Sequence, residues 1–137
     1  MAEAAGELRA ACRSPSQRVS THSCDVTNES SMRAAMAAIT EASGGAIDLL
    51  VTSAGTSEPL ELELLPLRKF EQVLSINVAG TRNALVAALP GLRAAGSSSR
   101  VGGRVLFITS TLALGGIYGY GVYSVRSWGE GGIDVRG

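Results

Sequence analysis

The apolar positions of the chain change their period several times, and each change marks an element. Met32, Ala35, Met36 and Ile39 fall at i, i+3, i+4 and i+7, which predicts one face of an amphipathic helix ended by Gly44 and Gly45. Ile47 to Thr52 is an almost continuous apolar run that closes in Ser53, Ala54 and Gly55. A strand that apolar predicts burial on both faces, inside a parallel sheet. After a loop with Glu58, Pro59 and Pro66, a longer helix is predicted from about Arg68 to Ala95, interrupted near Pro90. Its apolar stripe is Phe70, Val73, Leu74, Val78, Thr81, Ala84, Leu85 and Ala88.

The ends of the chain are less regular. Glu3 to Ala11 reads as a short helix broken by Ser14, Pro15 and Ser16. Arg18 to Cys24 reads as a weak strand, with Val19 its only strongly apolar member. Asp25 and Val26 follow, then Thr27 as the expected N-cap, with Glu29 in the first turn where the helix dipole favours it. Gly96 to Gly103 reads as a loop, and Arg104 to Ser110 as a third strand, apolar until it ends in Thr109 and Ser110.

Alternating apolar strands and helices predict an α/β fold with a βαβαβ core and right-handed crossovers in a parallel sheet. Such a sheet binds ligands outside the carboxyl ends of its strands. Those ends carry Asp25, Thr52 to Gly55, and Thr109 and Ser110, so three polar or glycine-bearing termini are expected on one edge.

Composition narrows the function. The 137 residues make one small domain, 45% hydrophobic and 18% charged, which excludes a disordered chain. Twelve basic residues balance twelve acidic ones, which argues against a nucleic-acid or anionic-membrane surface. Cys12 and Cys24 are too few for a disulfide framework, and His22 is the lone histidine, so no metal site is expected. A reducing, cytoplasmic compartment follows. No apolar run approaches the roughly twenty residues of a membrane span. Met1 to Glu7 has neither the basic nor the apolar region of a signal peptide.

Two sets of residues could carry chemistry. Asn77 lies seven residues after Phe70, on the apolar stripe. A buried amide must find hydrogen-bond partners, either as a structural asparagine or as part of a site. Ser110 and Tyr123 stand thirteen residues apart across a glycine-rich loop, Gly115 to Gly121. Its glycines do not follow the dinucleotide-binding order, so it is not read as a phosphate cradle. Either its tyrosines are simple loop aromatics, or the loop returns Tyr123 toward Ser110, where a hydroxyl and a phenol could bond a carbonyl oxygen and move a proton. An ordinary phenol, with a pKa near 10, does that poorly at neutral pH unless a cation lowers it.

Taken in order, these residues resemble the short-chain dehydrogenase/reductase family from about Glu3 to Val125. Asp25 and Val26 resemble the Asp-Val that holds the adenine. Thr52-Ser53-Ala54-Gly55 resembles the Asn-Asn-Ala-Gly that ends the fourth strand, with hydroxyls in place of both asparagines. Ser75-Ile76-Asn77-Val78 resembles the helix with the catalytic Asn, and Ser110 and Tyr123 match the catalytic Ser and Tyr. The resemblance implies a Rossmann-like, doubly wound parallel sheet in partial form: residues 1–126 as the domain, 127–137 as a divergent glycine-rich tail. It also implies an enzyme in which Tyr123 protonates a carbonyl oxygen, Ser110 bonds it and Asn77 holds a water of the proton relay. Asp25, Val26, Thr52, Ala54 and Gly55 would bind the cofactor.

Within the family, Arg104 to Ser110, Leu114 to Tyr120, and Val122 to Ser124 are similar to a branch that reduces the ketone of a long-chain sphingoid base. That similarity implies NADPH as cofactor, a lipid ketone as substrate, and the cytosolic face of the endoplasmic reticulum.

The chain departs from the family in three places. It contains no counterpart of the glycine-rich turn that anchors the pyrophosphate on a helix N-terminus, so it reads as an incomplete member. The family's motif is Tyr-x-x-x-Lys, and the residue four after Tyr123 is Ser127. A cation about 5 Å from a phenolate contributes roughly 3 kcal/mol at an effective dielectric near 20, or about two pKa units. Ser127 to Gly137 also carries four glycines and no helical stripe. These departures keep open a second reading, an inactive family fragment acting as an interaction or dimerisation module through the helix with Asn77. A small α/β signalling domain would need an acidic pocket for which only Asp25 is at hand.

Overall fold

The computed structural model describes residues 2–98 and 102–124. The elements follow in order: α1 Ala2–Ala10, α2 Glu29–Ala42, β1 Leu49–Thr52, α3 Leu67–Leu74, a π-helical segment Ser75–Ala79, α4 Gly80–Ser98, β2 Arg104–Phe107 and a 3-10 turn Thr111–Ala113. β1 and β2 pair in parallel, Leu49 with Arg104 through Thr52 with Phe107, and the helical stretch from Leu67 to Ser98 crosses between them.

One face of this sheet carries the core. Leu50, Leu85, Ala88 and Leu92 form its centre, with Met36, Ile47, Leu89, Val105 and Phe107 packed around it. α4 lies close enough to the strand starts that glycine is needed at the crossing. A Cβ on Gly91 would come 2.8 Å from Ile47 Cγ1, and one on Gly103 would collide with the Leu92 backbone. The Ile47 N–H donates to the Gly91 carbonyl at 3.0 Å, tying the start of the strand to the helix. This packing carries the helix straight through Pro90, where an interruption was expected. The cost of the missing proline N–H is met by the buried Leu85, Ala88 and Leu92 stripe around it.

The other face of the sheet is bare. Leu49, Val51, Leu106 and Ile108 are 54, 47, 49 and 43% exposed. The sequence expectation of strands buried on both faces therefore holds for one face among the described residues.

Arg18 to Cys24, expected as a strand, has no regular secondary structure and joins no ladder. A strand is defined by its ladder, and with one strongly apolar residue this segment has little to draw it against β1. The cap of α2 also differs from expectation. Asn28, not Thr27, is the N-cap, and its side chain accepts from the Ser31 N–H at 3.0 Å. Thr27 turns back instead to Asp25, donating to Oδ1 through its N–H at 2.9 Å and its hydroxyl at 2.8 Å.

A π-helical segment, Ser75–Ala79, interrupts the regular α-helical turns of the long helix. Across it the stripe read from the sequence largely persists, with Val73, Asn77, Thr81, Leu85 and Ala88 buried within it and on both sides. Val78, expected on the stripe, is 42% exposed, whereas Asn77 is fully buried.

Candidate active site

The loop that follows β1 is held from below by Asn77. The Thr56 N–H donates to Asn77 Oδ1 at 2.8 Å, and Asn77 Nδ2 donates to the Thr56 carbonyl at 2.7 Å. The carboxamide thus reads the backbone of Thr56 as a strand would. The Asn77 carbonyl is engaged as well, accepting from the Thr81 hydroxyl at 2.7 Å. Two residues beyond Thr56, Glu58 pairs with Lys69 at 3.2 Å. The loop is therefore fixed at two points by the helix beneath it, one neutral and one charged.

The segment between Ser110 and Tyr123 returns to the same loop. The Leu60 N–H donates to the Gly119 carbonyl at 2.8 Å, and Gly119 takes a φ of 79°, a backbone conformation that favours glycine. The Tyr118 phenol bonds Glu61, which raises its pKa above the usual tyrosine value. A helical turn at residues 121–124 follows, with Val122 buried and Tyr123 half-buried. Tyr123 comes to line a cavity of about 420 Å³ together with Ser53, Gly55, Thr56, Ser57, Ile108 and Thr109. Ser110 is not among those lining residues. Its hydroxyl accepts from the Leu112 N–H at 3.3 Å and caps the 3-10 turn.

The other expected residues gather on the far side of the β1 terminus. Val26, Thr52 and Ala54 line a second, mainly apolar cavity of about 200 Å³. Gly55 belongs to the first cavity, so the end of β1 divides the two. Asp25 is exposed, and its hydrogen bonds from the Thr27 hydroxyl and backbone hold its pKa below the usual carboxylate range.

Sequence reasoning did not identify Asn83 and Gly80. Asn83, buried on α4, donates through Nδ2 to the Val26 carbonyl at 3.0 Å. A Cβ on Gly80 would lie 2.8 Å from Val26 Cγ2, so Val26 rests directly on the helix backbone there. A polar side chain inside a helix was a signal for Asn83. Its partner, 57 positions away, carried none.

Sequence comparison agrees with this architecture. Residues 1–126 match the family described as short chain dehydrogenase, and the chain belongs to that family. Its members are oxidoreductases that bind NAD(P). The curated 3-ketodihydrosphingosine reductase of Dictyostelium discoideum is 29% identical over 107 residues, which make up 77% of this chain and 31% of that protein. Among solved structures, NADH-dependent reductase A1-R′ complexed with NAD aligns with a TM-score of 0.81 at 25% identity, covering 94% of this chain and 52% of that one. A short chain dehydrogenase from Mycobacterium smegmatis aligns with a TM-score of 0.79 at 23% identity, covering 93 and 50% of the two chains. The chain spans about half the length of these solved relatives and under a third of the curated one. Its fold is the Rossmann-like α/β class in partial form, with a two-stranded parallel sheet among the described residues.

Asn83 and Gly80 hold the Asp25–Val26 segment against α4, and Asp25 offers an exposed carboxylate. No glycine-rich turn leads into a helix N-terminus among the described residues. Ser127, in the position of the family's lysine, lies outside the described residues. No helix among them is long and apolar enough to cross a membrane.

Proposed function

We propose that the chain derives from a reductase that converts a ketone to an alcohol, with 3-ketodihydrosphingosine as substrate and NADPH as reductant. The observation that carries this reading is the cavity shared by Tyr123 and the Thr56 loop that Asn77 pins. The cofactor, when bound, supplies the hydride. Tyr123 holds the proton for the carbonyl oxygen, and Ser110, released from its cap on Leu112, bonds the same oxygen. Asn77 acts as a positioning residue, because its carboxamide is committed to Thr56. Asp25 and Val26 take the adenosine, and Thr52, Ala54 and Gly55 form the wall beside the dinucleotide. The likeness to the Dictyostelium protein supports that substrate, and a site of action at the cytosolic face of the endoplasmic reticulum goes with the proposal.

The test is NADPH oxidation by the purified chain with 3-ketodihydrosphingosine, run beside NADH and beside Tyr123→Phe. Turnover lost in Tyr123→Phe is the expected result. No turnover with either cofactor sinks the reading for this chain.

The bare sheet face favours a second reading, an inactive family member that binds a longer one. Capture of such a partner, including a homo-oligomer with a full-length copy, without turnover would establish it.

A further inference from the structure

The charges of the chain balance overall but not locally. Residues 8–24 hold Arg9, Arg13 and Arg18 and no carboxylate, so the rest of the chain carries nine basic and twelve acidic residues. These three arginines line one cavity of about 1050 Å³, bounded by the C-terminal ends of α1 and α2 and by residues 12–20. No carboxylate lines it. Among the described residues none of the three forms an ion pair, whereas Arg33, Lys69 and Arg82 each find a glutamate. The two cavities at the end of β1 contain no arginine, and Ile39 is the one lining residue that either shares with this cavity.

The walls are held in place by hydrogen bonds that leave donors over. The Arg13 and Ser14 N–H groups donate to Gln17 Oε1 at 2.6 and 3.1 Å, and the Gln17 N–H donates to the Ser14 carbonyl at 3.0 Å. The Gln17 carboxamide thereby folds the turn that separates Arg13 from Arg18. The Arg9 guanidinium reaches the Val19 carbonyl through Nε and Nη2, each at 3.4 Å, which leaves three of its five N–H groups. The Ser14 and Ser16 hydroxyls lie 2.8 Å apart, a pair that uses one proton and keeps one to donate. The dipole of α1 accounts for Arg9 in its last turn, but Arg13 and Arg18 lie beyond that helix.

We propose that this cavity binds a phosphate monoester, at a site separate from the one that would carry reduction. Three guanidinium charges are offset there by two helix C-termini of roughly half a negative charge each, so about two positive charges remain. A phosphate monoester brings close to two negative charges at neutral pH. Its three terminal oxygens accept from guanidinium forks and from the spare serine proton. A carboxylate or a phosphodiester brings one charge and leaves the other uncompensated. The monoester can arrive as a soluble molecule or as the headgroup of a lipid, and the recognition chemistry is the same.

The probe is glycerol 3-phosphate, titrated into the intact chain at low salt beside its diester glycerophosphocholine. Saturable binding of the monoester, weaker by about tenfold or more for the diester, is expected. Arg13→Gln and Arg18→Gln keep a long polar side chain without the charge, and each is expected to weaken binding by about tenfold. Arg93→Gln, exposed on α4 and outside the cavity, should leave it unchanged. Circular dichroism of each variant confirms that the helices remain. A second arm sediments the chain with phosphatidylcholine vesicles that contain phosphatidic acid. Retention that Arg13→Gln and Arg18→Gln abolish supports the site and assigns a lipid source. Glycerol 3-phosphate binding without retention supports the site and assigns a soluble source. Neither binding nor arginine-dependent retention, equal affinity for the diester, or affinity indifferent to both arginine substitutions overturns the proposal.

Discussion

Asn77 and Thr56 are joined by two hydrogen bonds of 2.8 and 2.7 Å that run in opposite directions between one side chain and one peptide backbone. Replacing Asn77 with Ala leaves a donor and an acceptor of Thr56 without partners and opens a small void. Asn77→Ala is expected to lower stability by about 1–3 kcal/mol in denaturant titration and to speed amide exchange at Thr56. Asn77→Asp should be worse, because its second oxygen faces the Thr56 carbonyl. A variant as stable as the parent would remove this pair from any account of the site.

Gly80 and Gly103 are both places where a methyl group does not fit, for different reasons. At Gly80 the obstacle is the side chain of Val26, at Gly103 the backbone of Leu92. Gly80→Ala should cost about 1–3 kcal/mol and be largely rescued by adding Val26→Ala. Gly103→Ala should cost as much or more, and Leu92→Ala should not rescue it. Thermal melts of the four variants decide the matter, and rescue in both cycles or in neither refutes the packing argument.

Acid should weaken the start of α2. Asp25 is held below the usual range by Thr27, and Glu29 by its hydrogen bond and ion pair with Arg33. Both carboxyls release their protons more readily in the folded chain than in the unfolded one. The stability they add is therefore complete above their unfolded pKa values near 4 and is lost as pH falls through the lower, folded values. Thr27→Val should flatten the pH dependence of the denaturation midpoint between about pH 6 and pH 2. Identical slopes for parent and variant would show that the Thr27 hydroxyl adds nothing.

The serine four residues after Tyr123 gives a prediction in the direction of gain. Ser127→Lys restores the family's Tyr-x-x-x-Lys pattern, and a cation close to a phenol lowers it by about two pKa units. Cofactor-dependent turnover should rise by about tenfold or more, and Tyr123→Phe in the same background should abolish the rise. A rise that survives Tyr123→Phe would point to another proton donor.

The residues proposed for the site were legible because their signals were local. Asn77 was visible as an amide on an apolar stripe, and the order of Asp25, Gly55, Asn77, Ser110 and Tyr123 matched a family motif by motif. The π-helical segment was not legible, since a local change of hydrogen-bond period leaves no mark in composition, and Val78, read onto the stripe, lies inside it and is exposed. The weak strand at Arg18 to Cys24 failed differently. It joins no ladder, because strand character depends on a neighbour that no local pattern supplies. The anchoring of Val26 by Asn83 was hidden because it joins distant positions through a backbone carbonyl that every residue possesses.

The parallel pairing of Leu49 with Arg104 also has a consequence during synthesis. The partners are roughly 55 positions apart, and a ribosome adding about 5–20 residues per second takes roughly 3–11 s to make the second after the first. Throughout that interval Leu49 to Thr52 is an apolar segment with no ladder to join. The nascent chain therefore presents a binding motif for chaperones before it presents a sheet, and its yield in the cell should depend on how long they hold it.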